Sequence, residues 1–187
     1  ETFANLGIAS SAAPAARDRR RPLRVIVVRR SVVQGGSGGR ALLNHDELML
    51  LLRHVLLPKS VQLEEFGPRP VKLGETAALW SRADVVIAPH GAGTTNTLFM
   101  PPSSTVIELL AVGQRGRVYQ GLARVMQHKY VLCEYTRGGH GSAPLSLPSS
   151  LQRGGLLRLD AENAGFSINL THFMECFERA ALPLRRL

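Results

Sequence analysis

In 187 residues the chain has room for one well-buried core and an appendage, but not for two full domains. A hydrophobic share of 44% is ordinary for a folded soluble protein, and with aromatics at 5% the core must be mostly Leu, Val, Ala and Ile. No apolar run reaches the roughly 18 residues of a membrane span, and Glu1-Thr2-Phe3 has neither the initiator Met nor the basic flank of a secretory signal. The chain therefore reads as a piece of something longer. Its formal charge of +9 is unevenly spread. Arg17, Arg19, Arg20, Arg21, Arg24, Arg29 and Arg30 stand against Glu1 and Asp18, Arg185 and Arg186 close the tail, and the body between is nearly balanced. Charge gathered in a terminal run disfavours a specific nucleic-acid partner. Cys133 and Cys176 are too few for a disulfide scaffold. Lying in a strand-like and a helix-like run, they are expected as buried free thiols, a single bridge being the alternative if the parent protein is lumenal. Asn169-Leu170-Thr171 is a glycosylation sequon.

Residues 1–22 have a linker's composition, small and Pro-punctuated and then basic, and would be a linker or the end of a preceding domain. Leu23–Val28 is a β-branched run without alternation, as in a strand buried on both faces. The loop Gly35-Gly36-Ser37-Gly38-Gly39 follows. A helix is predicted from Asn44, as an N-cap with Glu47 completing a capping box, until Pro58 stops it. Strands are then predicted at Val61–Phe66, Asp84–Ala88, Thr105–Leu110 and Tyr130–Tyr135. Helices fall between them near Glu75–Arg82, Thr94–Met100 and Gly116–His128. Residues 136–155 read as a mobile insertion, Leu156–Asp160 as an added strand, and Asn169–Leu182 as an amphipathic closing helix. Strands alternating with helices argue for an α/β fold with a doubly wound, mostly parallel, Rossmann-like sheet over residues 23–187.

Ligands of such sheets bind outside the carboxyl ends of the strands. There the sequence offers Pro89-His90-Gly91-Ala92-Gly93-Thr94-Thr95-Asn96, between the third strand and a helix. Gly91 and Gly93 allow a sharp turn and close backbone approach. Helix N–H groups and the hydroxyls of Thr94 and Thr95 suit a diphosphate, and His90 could donate to a phosphate or sugar oxygen. Against this stands a plain strand-to-helix turn whose glycines only relieve sterics. Arg29, Arg30 and Arg40 flank the first strand's loop with guanidinium forks suited to phosphate, or serve only solubility. Asn44 reads as a cap rather than a ligand. Glu108 is either an acceptor for both hydroxyls of a ribose or a solvated charge at the sheet rim. His45, His54, His128, His140 and His172 lack ligand spacing, and there is no Asp-x-Asp, His-Glu-x-x-His or paired-Cys pattern, so no metal is expected. Neither a Gly-x-Gly-x-x-Gly fingerprint nor a Gly-x-Ser-x-Gly elbow is present.

The run Arg29-Arg30 through Arg40-Ala41-Leu42-Leu43-Asn44 and Glu47 resembles glycosyltransferase family 61. So do Ala83-Asp84-Val85-Val86-Ile87-Ala88-Pro89-His90-Gly91-Ala92-Gly93-Thr94-Thr95-Asn96, Leu98-Phe99-Met100-Pro101-Pro102 and Val106-Ile107-Glu108-Leu109. The resemblance covers residues 23–135, with the closing helix also fitting. It implies the C-terminal half of a GT-B enzyme of the Golgi or endoplasmic reticulum lumen, membrane-anchored in the full-length parent. The activity implied is inverting, metal-independent transfer from a UDP-sugar to a glycan or glycoprotein acceptor, with no cofactor. Arg30 and Arg40 would meet the diphosphate, the His90–Asn96 loop phosphate and sugar, and Glu108 would lie near the ribose. The N-terminal domain, with the acceptor site and any catalytic base, would be the missing partner. Thr94 departs from the family, which more often has a hydrophobic residue there. The alternative is a non-catalytic module binding a glycan or a protein.

Overall fold

The computed structural model of the chain describes residues 21–30, 41–56, 61–67, 71–111, 117–135 and 165–180. The expectations for residues 1–20, the glycine loop with Arg40, the insertion at 136–155 and a strand at 156–160 lie outside them.

Five parallel strands form one sheet: β1 (Leu23–Val28), β2 (Val61–Phe66), β3 (Val85–Pro89), β4 (Thr105–Ala111) and β5 (Lys129–Tyr135), in the order β2-β1-β3-β4-β5. Helices α1 (His45–Leu56), α2 (Leu73–Trp80), α3 (Val118–Val125) and α4 (Leu170–Ala180) cover it, with a 3-10 helix at Ala92–Phe99. The fold is Rossmann-like, as the alternation of runs implies. Every residue of β3 is buried, and β1 is buried except for Arg24, because both sheet faces are covered.

Alternate residues of each strand feed two cores. Val25, Val27, Val85, Ile87, Ile107 and Leu109 pack under α1 (Leu48, Leu52, Leu56) and α4 (Phe173, Phe177). Ile26, Val28, Val86, Ala88 and Val106 pack under Trp80, Met100 and the half-buried Leu79 and Phe99. The second face carries the chemistry.

Four expectations are corrected. Cys133 and Cys176 are not free thiols: they form a disulfide from β5 to α4, both cysteines fully buried. Asn44 does not cap α1 with its side chain. Its Nδ2 donates to the Ile168 carbonyl at 2.9 Å and its Oδ1 accepts from the Ile168 N–H at 3.0 Å, which fixes the approach to α4. A long-range partner outbid the local one. Arg21, read as linker, makes a bidentate ion pair with Asp84 at 2.7 and 3.0 Å.

The fourth correction concerns the segment after β3, which is 3-10 rather than α. Pro101 and Pro102 stand where an α-helix would need N–H donors for the carbonyls of Thr97 and Leu98. Those bonds cannot form. The Met100 N–H bonds the Thr97 carbonyl instead, at 3.0 Å, and the Thr94 N–H bonds the Gly91 carbonyl at 2.9 Å.

Candidate functional site

The chain passes from β1 to β2 on one side and returns to β3 on the other, so the sheet's switch point lies between β1 and β3. The carboxyl ends of these two strands carry Arg29-Arg30 and Pro89-His90. Residues far apart in sequence thus meet where such folds hold ligands.

Arg30 is half-buried and donates from Nη1 to the His90 carbonyl at 2.7 Å. Gly91 makes that approach possible. Its φ is 151°, and a Cβ built there would lie 1.3 Å from Arg30 Nη1. Gly93 is different, since its Cβ would meet only Val28 Cγ1, at an ordinary 3.7 Å. The fold needs glycine at 91 and not at 93. The first N–H groups of the 3-10 helix, at Ala92 and Gly93, have no acceptor among the described residues. Ala92 and Thr95 are exposed, while Gly93 and Asn96 are half-buried. One guanidinium and two amides at a helix N-terminus make a compact anion-binding edge.

Arg29 is otherwise engaged, by Asp46 at 3.1 Å and Glu65 at 3.6 Å. Thr94 does not present its hydroxyl to a ligand: the residue is 1% exposed, and its Oγ1 is buried without a partner. The position is built for an apolar residue.

Glu108 is neither a ribose acceptor nor a rim charge, because it is fully buried at the middle of β4. One carboxylate oxygen lies 2.5 Å from His90 Nδ1, and the other accepts the Tyr130 phenol. A buried carboxylate is costly without such partners. Burial first, and then the Glu108 carboxylate, push the Tyr130 pKa up, so the phenol keeps its proton and donates. The His90 side chain is 11% exposed, and Tyr119 of α3 packs edge-on against its ring at 5.2 Å. Among the described residues no other hydrogen bond holds the ring, and none reaches Nε2. Behind the loop, His128 donates from Nε2 to the Thr97 carbonyl at 3.0 Å. Burial lowers the His128 pKa, partly offset by that bond.

Tyr119, His128 and Tyr130 escape a reading of the sequence. Each reaches the loop from α3, or from β5 and the turn before it, and no local spacing marks such contacts.

A profile of glycosyltransferase 61 matches residues 5–107, more than half of the chain. The chain belongs to glycosyltransferase family 61. A β-1,2-xylosyltransferase of Oryza sativa subsp. japonica is 33% identical over 106 residues, covering 54% of this chain and 18% of that protein. The EGF domain-specific O-linked N-acetylglucosamine transferase of Bos taurus is 30% identical over 104 residues, 56% of this chain and 19% of the relative. The Xenopus laevis enzyme of the same name is 30% identical over 107 residues, 57% and 20% respectively. The chain thus matches about a fifth of the length of these glycosyltransferases. The profile ends one residue before Glu108, so the partners at Tyr119 and Tyr130 lie beyond it.

Proposed function

We propose that this chain is the donor-binding domain of a glycosyltransferase that moves a sugar from a UDP-sugar to a hydroxyl of a glycan or glycoprotein, with inversion and without a metal. The observation that carries the reading is the β1/β3 crevice, where Arg30 underlies a glycine loop leading into two amides that have no acceptor among the described residues. Nothing in the fold calls for glycine at 93, whereas a diphosphate close to that amide would.

The acceptor oxygen attacks the anomeric carbon from the face opposite UDP. The bond to the diphosphate oxygen breaks, and UDP leaves with the electron pair. The acceptor proton passes to a base contributed by the rest of the protein. Arg30 and the amides of Ala92 and Gly93 stabilise the charge growing on the leaving diphosphate, the task a metal performs elsewhere. Thr95 and Asn96 line the loop's outer side, and Arg40 completes the phosphate set. The Cys133–Cys176 bridge fits an oxidising lumen such as the Golgi or endoplasmic reticulum. Among the described residues no helix is long and apolar enough to cross a membrane.

Thermal unfolding with added nucleotide tests the reading. At a hundredfold excess over its dissociation constant a ligand adds about 2.7 kcal/mol, several degrees of melting shift for a domain of this size. UDP is expected to give that shift with EDTA present, and NAD and ATP to give none. A melting curve flat across millimolar UDP, or a strict need for manganese, sinks the proposal.

A further inference from the structure

Among the described residues, His90 is the loop residue whose side chain is hydrogen-bonded to a buried group of the sheet. We infer that Glu108 and Tyr130 are positioning residues that fix His90 with its proton on Nδ1, so that Nε2 acts as a hydrogen-bond acceptor for a hydroxyl of the donor rather than as a phosphate ligand. The inference deepens the proposed donor site and rests on that reading for its ligand.

A carboxylate accepts and cannot donate, so the nitrogen 2.5 Å from Glu108 Oε1 must carry the proton. The second carboxylate oxygen is taken by the Tyr130 phenol, itself a donor, so the carboxyl group cannot turn away without losing a bond. Full burial of Glu108 removes water as a substitute partner. The T-shaped contact with Tyr119 restrains the ring further. In the neutral ring, Nε2 is then a lone pair. Phosphate oxygens at neutral pH are themselves acceptors, so they fall to Arg30 and the loop amides. A lone pair at the start of the same loop suits a hydroxyl, from either the ribose or the transferred sugar.

The test uses the full 187-residue chain. Imidazole nitrogen NMR should show His90 protonated at Nδ1 and bare at Nε2. In Glu108→Gln, Tyr130 donates to the amide oxygen and the NH2 group faces His90, so the proton should move to Nε2. Affinity for UDP-GlcNAc and UDP-xylose should then fall about tenfold, and in Tyr130→Phe a few-fold. In a His90→Ala background, Glu108→Gln should add no further loss, because its effect passes through the ring. Inorganic pyrophosphate, measured by competition, should bind His90→Ala as it binds the wild type. Weakening of UDP alongside both UDP-sugars assigns the hydroxyl to the ribose, and weakening of the UDP-sugars alone assigns it to the sugar. A wild-type ring protonated at Nε2, alone or together with Nδ1, an undiminished Glu108→Gln effect without His90, or lost pyrophosphate affinity in His90→Ala each overturns the inference. If the wild type binds neither UDP nor either UDP-sugar, the donor reading fails together with the ligand half of this one. The nitrogen spectrum still decides the tautomer.

Discussion

At Gly91 the backbone φ of 151° and the guanidinium of Arg30 occupy the conformation and the space that a side chain would need. Gly91→Ala must strain the backbone and push Arg30 from the His90 carbonyl, a loss of roughly 1–3 kcal/mol in stability. At Gly93, by contrast, an added Cβ would meet only Val28 Cγ1, at an ordinary 3.7 Å, which motivates Gly93→Val as the probe. We expect it to keep its melting temperature within a few degrees and lose UDP binding, whereas Gly91→Ala loses both. If Gly93→Val loses affinity only in proportion to stability, the loop is scaffold. His128 offers a second test, by pH. Its folded-state pKa lies below the ordinary 6.5, so the unfolded chain takes up a proton before the folded chain does. Stability from the neutral ring is full above pH 6.5 and declines as pH falls below it. Melting temperatures between pH 8 and 5 should drop more steeply for the wild type than for His128→Gln, and parallel curves would refute the assignment. The sequence told part of this. His90, the glycines and Arg30 stand out because turn chemistry and phosphate chemistry are local. The inward turn of Thr94 and the burial of Glu108 depend on residues that pack from elsewhere, and a Glu in a hydrophobic strand reads equally well as rim or core.

At the scale of elements, the five strands follow the β-branched runs closely, since strands covered on both faces need nothing but apolar residues. Helix ends are less legible. Asn44 has the composition of a cap, yet its amide binds the backbone of Ile168, 124 residues away. The prolines that make the segment after β3 a 3-10 helix are visible in the sequence, but they act on carbonyls a turn earlier. The cysteine pairing was equally hidden, because β5 and α4 come together only in the fold. The Cα atoms of Cys133 and Cys176 are 6.0 Å apart and the bridge spans 43 residues. A cross-link of that span stabilises by roughly 2–4 kcal/mol, mainly by restricting the unfolded chain. Cys133→Ala with Cys176→Ala should therefore lower the melting temperature by roughly 4–16 degrees, and reductant should do the same to the wild type alone. Reductant that leaves the wild-type melting curve unmoved would show that the bridge contributes nothing.

For the whole molecule the open matter is where the working domain begins and what its basic run does. Composition sets the boundary at residue 22, but the bidentate pair between Arg21 and Asp84 moves it toward the N-terminus, to include Arg21. The Asp84 side chain is only 9% exposed, and its Oδ2 also accepts the Arg24 N–H at 2.9 Å. Its carboxylate ties the entry of β1 to the entry of β3, the two strands that flank the proposed donor crevice. A partly buried, bidentate pair of this kind is worth more than an exposed one. Two truncations then separate fold from charge. Removing residues 1–20 takes away Arg17, Arg19 and Arg20 but leaves the Asp84 pair. It should leave the melting temperature and UDP affinity unchanged while abolishing most retention on DNA at low salt, since such retention follows the number of phosphate contacts. Removing residues 1–22 deletes Arg21 as well and should lower the melting temperature by several degrees, as Arg21→Ala should in the full chain. If removal of residues 1–20 already unfolds the domain, the linker reading is wrong. If DNA binding is sequence-selective, resists salt and survives that truncation, the cations that matter lie on the folded domain, and a nucleic-acid function has to be reconsidered.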